Sequence, residues 1–179
     1  MDGGLAVLLA AVEQAFRRKS WHGTNLRGAL RGVTAEQASW RPAPGRHNIW
    51  ELALHAAYWK YVVTRRLRGS ARGSFPLPGR DFFARPFGEA AGDRPPLDAG
   101  AASSLIVCET DWRRELDLLT EMHRELHAAV AALPAAAIDR PVAGSKATAR
   151  DLVLGAAAHD LYHAGQIQLL KRLQAGRTA

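Results

Sequence analysis

A single cysteine, Cys108, occurs in 179 residues, which excludes an intramolecular disulfide framework and suits a reducing cytosol. No apolar run approaches the ~18 residues that a membrane-spanning helix requires. The opening Met1-Asp2-Gly3-Gly4 and the segment after it lack a basic n-region and a cleavage site, so we expect no signal peptide and a cytoplasmic location. There is no glycine loop to cradle phosphates, no nucleophile elbow, no strand-like alternation and no long internal repeat. Those absences weigh against phosphoryl transfer, Ser-His-Asp hydrolysis and sheet-based folds. Cys108 falls on a helical apolar stripe with nothing beside it to lower its pKa, and it reads as a core residue.

Acidic residues are the scarcer sign of charge: 24 Lys and Arg face 17 Asp and Glu, for a formal charge of +7. A basic balance can mean nucleic acid or anionic substrates. It can also reflect a GC-rich coding bias, which favours Arg, Ala and Gly. The arginines are scattered, with short groups only at Arg17-Arg18-Lys19, Arg65-Arg66 and Arg113-Arg114, and no stripe interleaved with aromatics. That pattern does not favour nucleic-acid binding. With 47% hydrophobic and 23% charged residues, the composition is that of one soluble globular domain spanning residues 1–179.

Helical spacing predicts a helix from Leu5 to Lys19 through Leu5, Leu8, Leu9, Val12 and Phe16. Thr24 or Asn25 then caps a short helix to Leu30, and Thr34-Ala35-Glu36-Gln37 has the form of a capping box. Asn48 caps a second long helix to about Leu67 with Leu52, His55, Trp59 and Val62 on its inner face. Ser103 or Ser104 caps a third, to about Leu133, with Leu105, Cys108, Trp112, Leu116, Leu119, Leu126 and Val130 as its stripe. Thr148 caps the last, from about Ala149 to Gln174. Between the second and third helices, Gly69 to Gly100 holds five of nine prolines and six of sixteen glycines, with Phe75, Phe82, Phe83 and Phe87. We expect residues 69–102 to form an irregular crossover draped over the bundle. Four long amphipathic helices give an all-α, four-helix bundle.

The closing helix carries His159 and His163, four residues apart and so on one face, within the stripe Leu152, Ala156, His159, His163, Ile167 and Leu170. Burying two imidazoles costs free energy unless their nitrogens are satisfied. A transition-metal ion is one way of satisfying them and a hydrogen bond to a buried partner is the other. An open metal site needs a third protein ligand. His55, on the inner face of the second helix, is the best candidate for it, since bundles assemble metal sites from facing helices. A rival pair at the same spacing, His123 and His127, has its first member on the third helix's stripe and its second at the margin. His159-Asp160-x-x-His163 mimics the H-E-x-x-H pattern of zinc proteases, but Asp160 is a methylene short and no third ligand follows, so a peptidase is not expected. Asp160, next to His159, should point off to the side. Tyr162 reads as packing, and Trp21 and His22 would line the pocket if the kink at residues 20–24 turned them inward.

Ser20-Trp21-His22-Gly23, Trp40-Arg41-Pro42, Ile49-Trp50-Glu51-Leu52 with His55, and His159-Asp160-Leu161-Tyr162-His163-Ala164-Gly165-Gln166-Ile167 together resemble, in this order, the DinB-like family. These are DNA-damage-inducible-type proteins, distinct from the polymerase that shares the name. The resemblance spans almost the whole chain and is weakest in the proline-rich middle. It implies a four-helix bundle whose second helix supplies one histidine and whose last supplies two, which are His55, His159 and His163 here, holding a divalent metal such as zinc, nickel, iron or manganese. It further implies a metal-dependent S-transferase of low-molecular-weight thiols in stress response or detoxification, a small-molecule substrate and a homodimer. A non-catalytic metal-binding or interaction protein is the alternative, ahead of a nucleic-acid binder.

Overall fold

Six α-helices and a single 3₁₀ turn account for the regular structure of the computed structural model, which describes residues 3–70, 73–85 and 108–176. They are α1 (Gly3–Phe16), α2 (Leu26–Leu30), α3 (Ala35–Ser39), α4 (Ile49–Leu67), α5 (Glu109–Ala131) and α6 (Ala149–Ala175), with the 3₁₀ turn at Ala135–Ala137. The four long helices, α1, α4, α5 and α6, form the bundle. α4 packs on α5 and α6, and α1 packs on the same two helices. No strand occurs among the described residues; an isolated antiparallel bridge pairs Pro141 with Thr148 just before α6.

Helix starts follow side-chain chemistry. Asn25 accepts the amide of Gly28 at 2.8 Å, Asn48 accepts that of Glu51 at 2.9 Å, and Thr34 and Thr148 close reciprocal capping boxes with Gln37 and Asp151. Each such cap satisfies amides that the first helical turn leaves without partners. α1 stops at Phe16, one turn short of the expected Lys19. There the amides of Arg17 and Arg18 both return to the Glu13 carbonyl, and the Asn25 amide group ties down the Arg18 carbonyl at 3.1 Å. The expected caps of the third helix, Ser103 and Ser104, and its stripe residue Leu105 lie outside the described residues, as do Phe87 and most of the expected 69–102 crossover. Within that crossover, residues 73–85 contain no helix or strand.

The centre of the bundle is built on Trp50 and Trp112, whose ring centroids lie 5.2 Å apart, together with Phe16, Leu26, Leu54, Leu119 and Ile167. A second cluster of Leu8, Val12, Val63, Leu126, Val130 and Val153 fills another part. α4 is buried nearly all round, from Ile49 through Ala57 without a break, because helices, α3 and the 73–85 segment cover it on every side. That burial includes two charged residues, Glu51 and Lys60. Burying charge is unfavourable unless each group is paired, and both are. Glu51 accepts from Arg41 Nη1 at 3.0 Å, from His47 Nδ1 at 2.8 Å and from the Arg85 amide at 3.1 Å. Burial alone would raise the Glu51 carboxyl, but the hydrogen bonds from Arg41 and His47 hold it below the usual carboxylate range. Lys60 pairs with Asp160 of α6, joining α4 and α6 by one ion pair.

The 73–85 segment is fastened at its end. Arg85 lays its guanidinium on Glu115 of α5, with Nε 3.0 Å from Oε2 and Nη2 2.6 Å from Oε1, and the Trp50 indole donates to the same carboxylate. The Arg85 carbonyl accepts from Asn48 at 2.7 Å and from Arg41 at 3.0 Å. A fork of two charge-assisted bonds, both partners buried, fixes direction as well as distance. The strap is thereby held against α4, over the histidine on its inner face.

Candidate metal centre

His55 of α4 and His159 and His163 of α6 converge. Nε2 of His159 lies 3.0 Å from Nε2 of His55 and 3.0 Å from Nε2 of His163. Among the described residues, these three are the one group of His, Cys, Asp and Glu side chains whose ligand atoms cluster tightly enough to hold a metal ion. The expected pair at i, i+4 and the expected third ligand are therefore brought together. Two nitrogens bound to one ion at ordinary bond lengths of about 2.0–2.1 Å stand roughly 3.0–3.4 Å apart, which the observed spacing matches.

Protons make the stronger case. The Nδ1 proton of His55 is donated to the Asp81 carbonyl at 3.0 Å, and that of His163 to the Gln166 side-chain oxygen at 2.6 Å. A neutral imidazole with its proton on Nδ1 presents a bare lone pair at Nε2. Two such lone pairs point at His159 Nε2, which can carry only one proton. Protonating the rings is opposed as well. Burial pushes His159 down to about 3 and His163 down to about 4, and the neighbouring imidazoles add to both shifts. Burial also lowers His55. Three neutral nitrogens facing one point, with too few protons among them, are a donor set that a divalent cation satisfies and that water-free packing does not.

Hydrogen bonds to Asp81 and Gln166 orient two of the three histidines, His55 and His163. Asp81 is the described non-glycine residue with a left-handed backbone, at φ 67°. Asp tolerates this conformation better than most residues, at a cost of about 1–3 kcal/mol. The turn aims the Asp81 carbonyl at His55, while its carboxylate lies 3.2 Å from the same nitrogen and accepts from the Trp59 indole at 2.9 Å. Phe82 then stacks on His55 with centroids 3.9 Å apart and on His47 at 3.7 Å. Of the described phenylalanines in the crossover, Phe82 is the one over the site; Phe75 and Phe83 are buried in the core. Beyond the triad, a cavity of about 720 Å³ opens to solvent, with Phe82, Arg46, Tyr162, Leu169 and Leu173 in its walls.

Several expectations need correction. Asp160 does point away from the histidines, as expected, but into the core: one position past His159 it is 1% exposed and meets Lys60, a partner the sequence did not supply. Tyr162 is not packing but 63% exposed at the cavity. Trp21 is 98% exposed and His22 is exposed too, so the kink turns both outward. His123 is buried but belongs to a different contact, donating to Glu13 at 3.0 Å and stacking on Phe16 at 3.9 Å. His127 is a half-exposed neighbour of the same carboxylate at 3.9 Å. Cys108 is a partly exposed N-cap rather than core, and the amides of Asp111 and Thr110 at the start of α5 lower its thiol pKa. Another cavity, of about 780 Å³, has Arg17, Arg27, Arg31 and Arg113 at its walls but no metal-ligating cluster.

Sequence reasoning missed Asp81, Lys60 and the role of Gln166. Lys60 carried a signal, since a lysine on an otherwise buried helix face needs an acidic partner and Asp160 is the acid beside the ligands. Asp81 carried none: its role depends on a backbone turn in a segment without periodicity. No described helix is long and apolar enough to cross a membrane.

No curated protein and no solved structure shows significant similarity to this chain. The family model of the DinB superfamily matches residues 20–167, a span that begins at Ser20-Trp21-His22-Gly23 and includes all three histidines. The match covers most of the helical bundle together with the centre it holds, and the chain belongs to the DinB superfamily.

Proposed function

We propose that this chain is a divalent-metal-dependent enzyme that transfers low-molecular-weight thiols to small electrophiles, acting in stress response or detoxification. The observation that carries the reading is the convergence of three neutral Nε2 atoms at the base of an open cavity. A divalent ion held by three uncharged ligands keeps its full positive charge and supplies a point where a thiol sheds its proton at neutral pH. His55, His159 and His163 would hold that ion. Asp81 and Gln166 keep the Nδ1 protons of His55 and His163 away from it, and Phe82 shields the His55 face from water. The transfer forms a sulfur–carbon bond, releases the leaving group with its electron pair, and passes the thiol proton to solvent. The cytoplasm, where such thiols stay reduced, is the fitting compartment.

A second copy of the chain is the partner we propose. Val7 of α1 and Leu154 of α6 are exposed outside the cavity lining on two helices that pack together, and a homodimer would cover part of such a surface. A non-catalytic metal-binding role shares the same site and separates only on turnover.

The test uses protein purified without a histidine tag. Elemental analysis should find about one transition metal per chain, lost in His159→Ala and His163→Ala, and a panel of small thiols should react with chlorodinitrobenzene faster with loaded enzyme than with either variant. Stoichiometric metal without thiol-dependent turnover would favour the non-catalytic role. Absence of metal from wild type, with no response to the substitutions, would sink both.

A further inference from the structure

The cavity above the triad has an unusual charge distribution for a chain with 17 acidic residues: no Asp or Glu is among the residues that line it. Its one cationic side chain is Arg46, which is exposed and makes no side-chain hydrogen bond or ion pair among the described residues. The two other arginines nearby are committed, Arg41 to Glu51 and Arg85 to Glu115. One uncommitted guanidinium suits one carboxylate. A phosphate-rich or multiply acidic ligand would call for a second arginine or lysine, and Arg46 is the one such side chain in these walls.

Much of the remaining wall is apolar. Tyr162, Leu169 and Leu173 line the cavity at 63%, 58% and 45% exposure, and they are three of the six large hydrophobic side chains exposed among the described residues. Leu52, Leu170 and Phe82 continue the surface inward to the histidines. Exposed apolar side chains are ordinary when scattered; gathered around a concave site they mark a binding surface. A volume of about 720 Å³ accommodates a ligand well beyond the size of a free ion or a two-carbon thiol.

We infer that the cavity selects an amphiphilic monoanion, a molecule with an apolar body along the Tyr162, Leu169 and Leu173 wall and a single carboxylate on Arg46. The thiol or other head group that reaches the histidines rests on the metal-dependent function proposed above; selection for the acid and the apolar body does not.

Calorimetric titration of the zinc-loaded full chain with four probes tests this: 6-mercaptohexanoate, 6-mercaptohexan-1-ol, mercaptoacetate and hexanoate. The acid 6-mercaptohexanoate should bind about two- to fivefold more tightly than its alcohol counterpart, as an ion pair with an exposed guanidinium provides. Arg46→Gln should bring the two to parity by weakening the acid while leaving the alcohol unchanged. Leu169→Ser with Leu173→Ser should weaken both six-carbon thiols and leave mercaptoacetate, already the weaker binder, where it was. Equal affinity for acid and alcohol in wild type, or an acid preference that survives Arg46→Gln, overturns the proposal. So does failure of every six-carbon probe to bind, the result expected if a second copy of the chain occupies the wall. Hexanoate separates the two readings. Arg46-dependent hexanoate binding with no gain from adding a thiol would keep the acid selection and reject the thiol function.

Discussion

The carbonyl oxygen of Asp81 lies 3.0 Å from Nδ1 of His55, at a residue whose φ of 67° is the one left-handed non-glycine backbone described. A turn in the segment between α4 and α5 thus decides which nitrogen of the helix-borne His55 stays bare. The strap carrying that turn is fixed by Arg85 on Glu115, so the arrangement of the histidine cluster depends on a part of the chain with no regular structure.

Asp81 substitutions separate backbone from side chain. Asn tolerates the left-handed conformation and its amide oxygen can accept from Trp59, so Asp81→Asn should bind zinc close to wild type. Val opposes that conformation through its branched Cβ and should swing the carbonyl away from His55. Loss of an outer hydrogen bond to a ligand histidine typically costs 10–100-fold in metal affinity, and Asp81→Val should fall by about that much. Competition with a chromophoric chelator measures it; equal affinities for the Asn and Val variants would mean that the Asp81 carbonyl does not orient the ligand.

What could be read from the sequence divides along the same line. The helices and their caps at Asn25, Thr34, Asn48 and Thr148 were legible because apolar periodicity and capping are local. The histidine pair of α6 was legible because i, i+4 spacing fixes a shared face. His55 was legible as a candidate from its place on the inner face of α4, and the family resemblance singled it out as the third ligand. Lys60 with Asp160, 100 residues apart, required knowing the register between α4 and α6, which periodicity does not give. Asp81, Phe82 and Arg85 act from irregular backbone, where no period exists to read. Trp21 misled because aromatic character suggests burial, whereas it lies in the turn before α2 and is 98% exposed.

Lys60 and Asp160 form a buried pair between α4 and α6, the helices that carry the three histidines, each with a side chain 2% exposed. Burial pushes the Asp160 carboxyl up while Lys60 draws it down. Removing one partner strands the other: Lys60→Met should cost about 3–5 kcal/mol of stability, while Lys60→Met with Asp160→Leu should recover much of it. Urea unfolding of the metal-free proteins gives both values. Because the pair sits five residues past His55 and one past His159, the double variant should also bind zinc more weakly than its recovered stability suggests. If its affinity matches wild type, the pair stabilises the bundle without setting the ligand spacing.

Acid should unfold the metal-free protein through its buried histidines, and the sign follows from the direction of their shifts. Burial holds His123 at about 4 in the folded state, against the ordinary 6.5, with the Lys60 charge adding to the effect. Folded His123 therefore binds its proton less readily than the unfolded chain does. Stability is complete above pH 6.5 and falls as the pH drops from there toward about 4, at about 1.4 kcal/mol per pH unit for each such group. His159 and His163, lowered to about 3 and about 4, steepen the same window. Glu13 is lowered to about 2 from 4.5, chiefly by its bonds to Arg17 and His123 acting against burial, so its contribution is lost only at lower pH. Urea unfolding between pH 7 and 4.5 with excess chelator should show His123→Leu losing stability less steeply than wild type by about one proton's slope. The absolute stability of the variant will differ, since its contact with Glu13 is gone, but the comparison is of slopes. Identical slopes would mean that His123 is already protonated in the folded protein, paired as a cation with Glu13 rather than donating to it as a neutral ring.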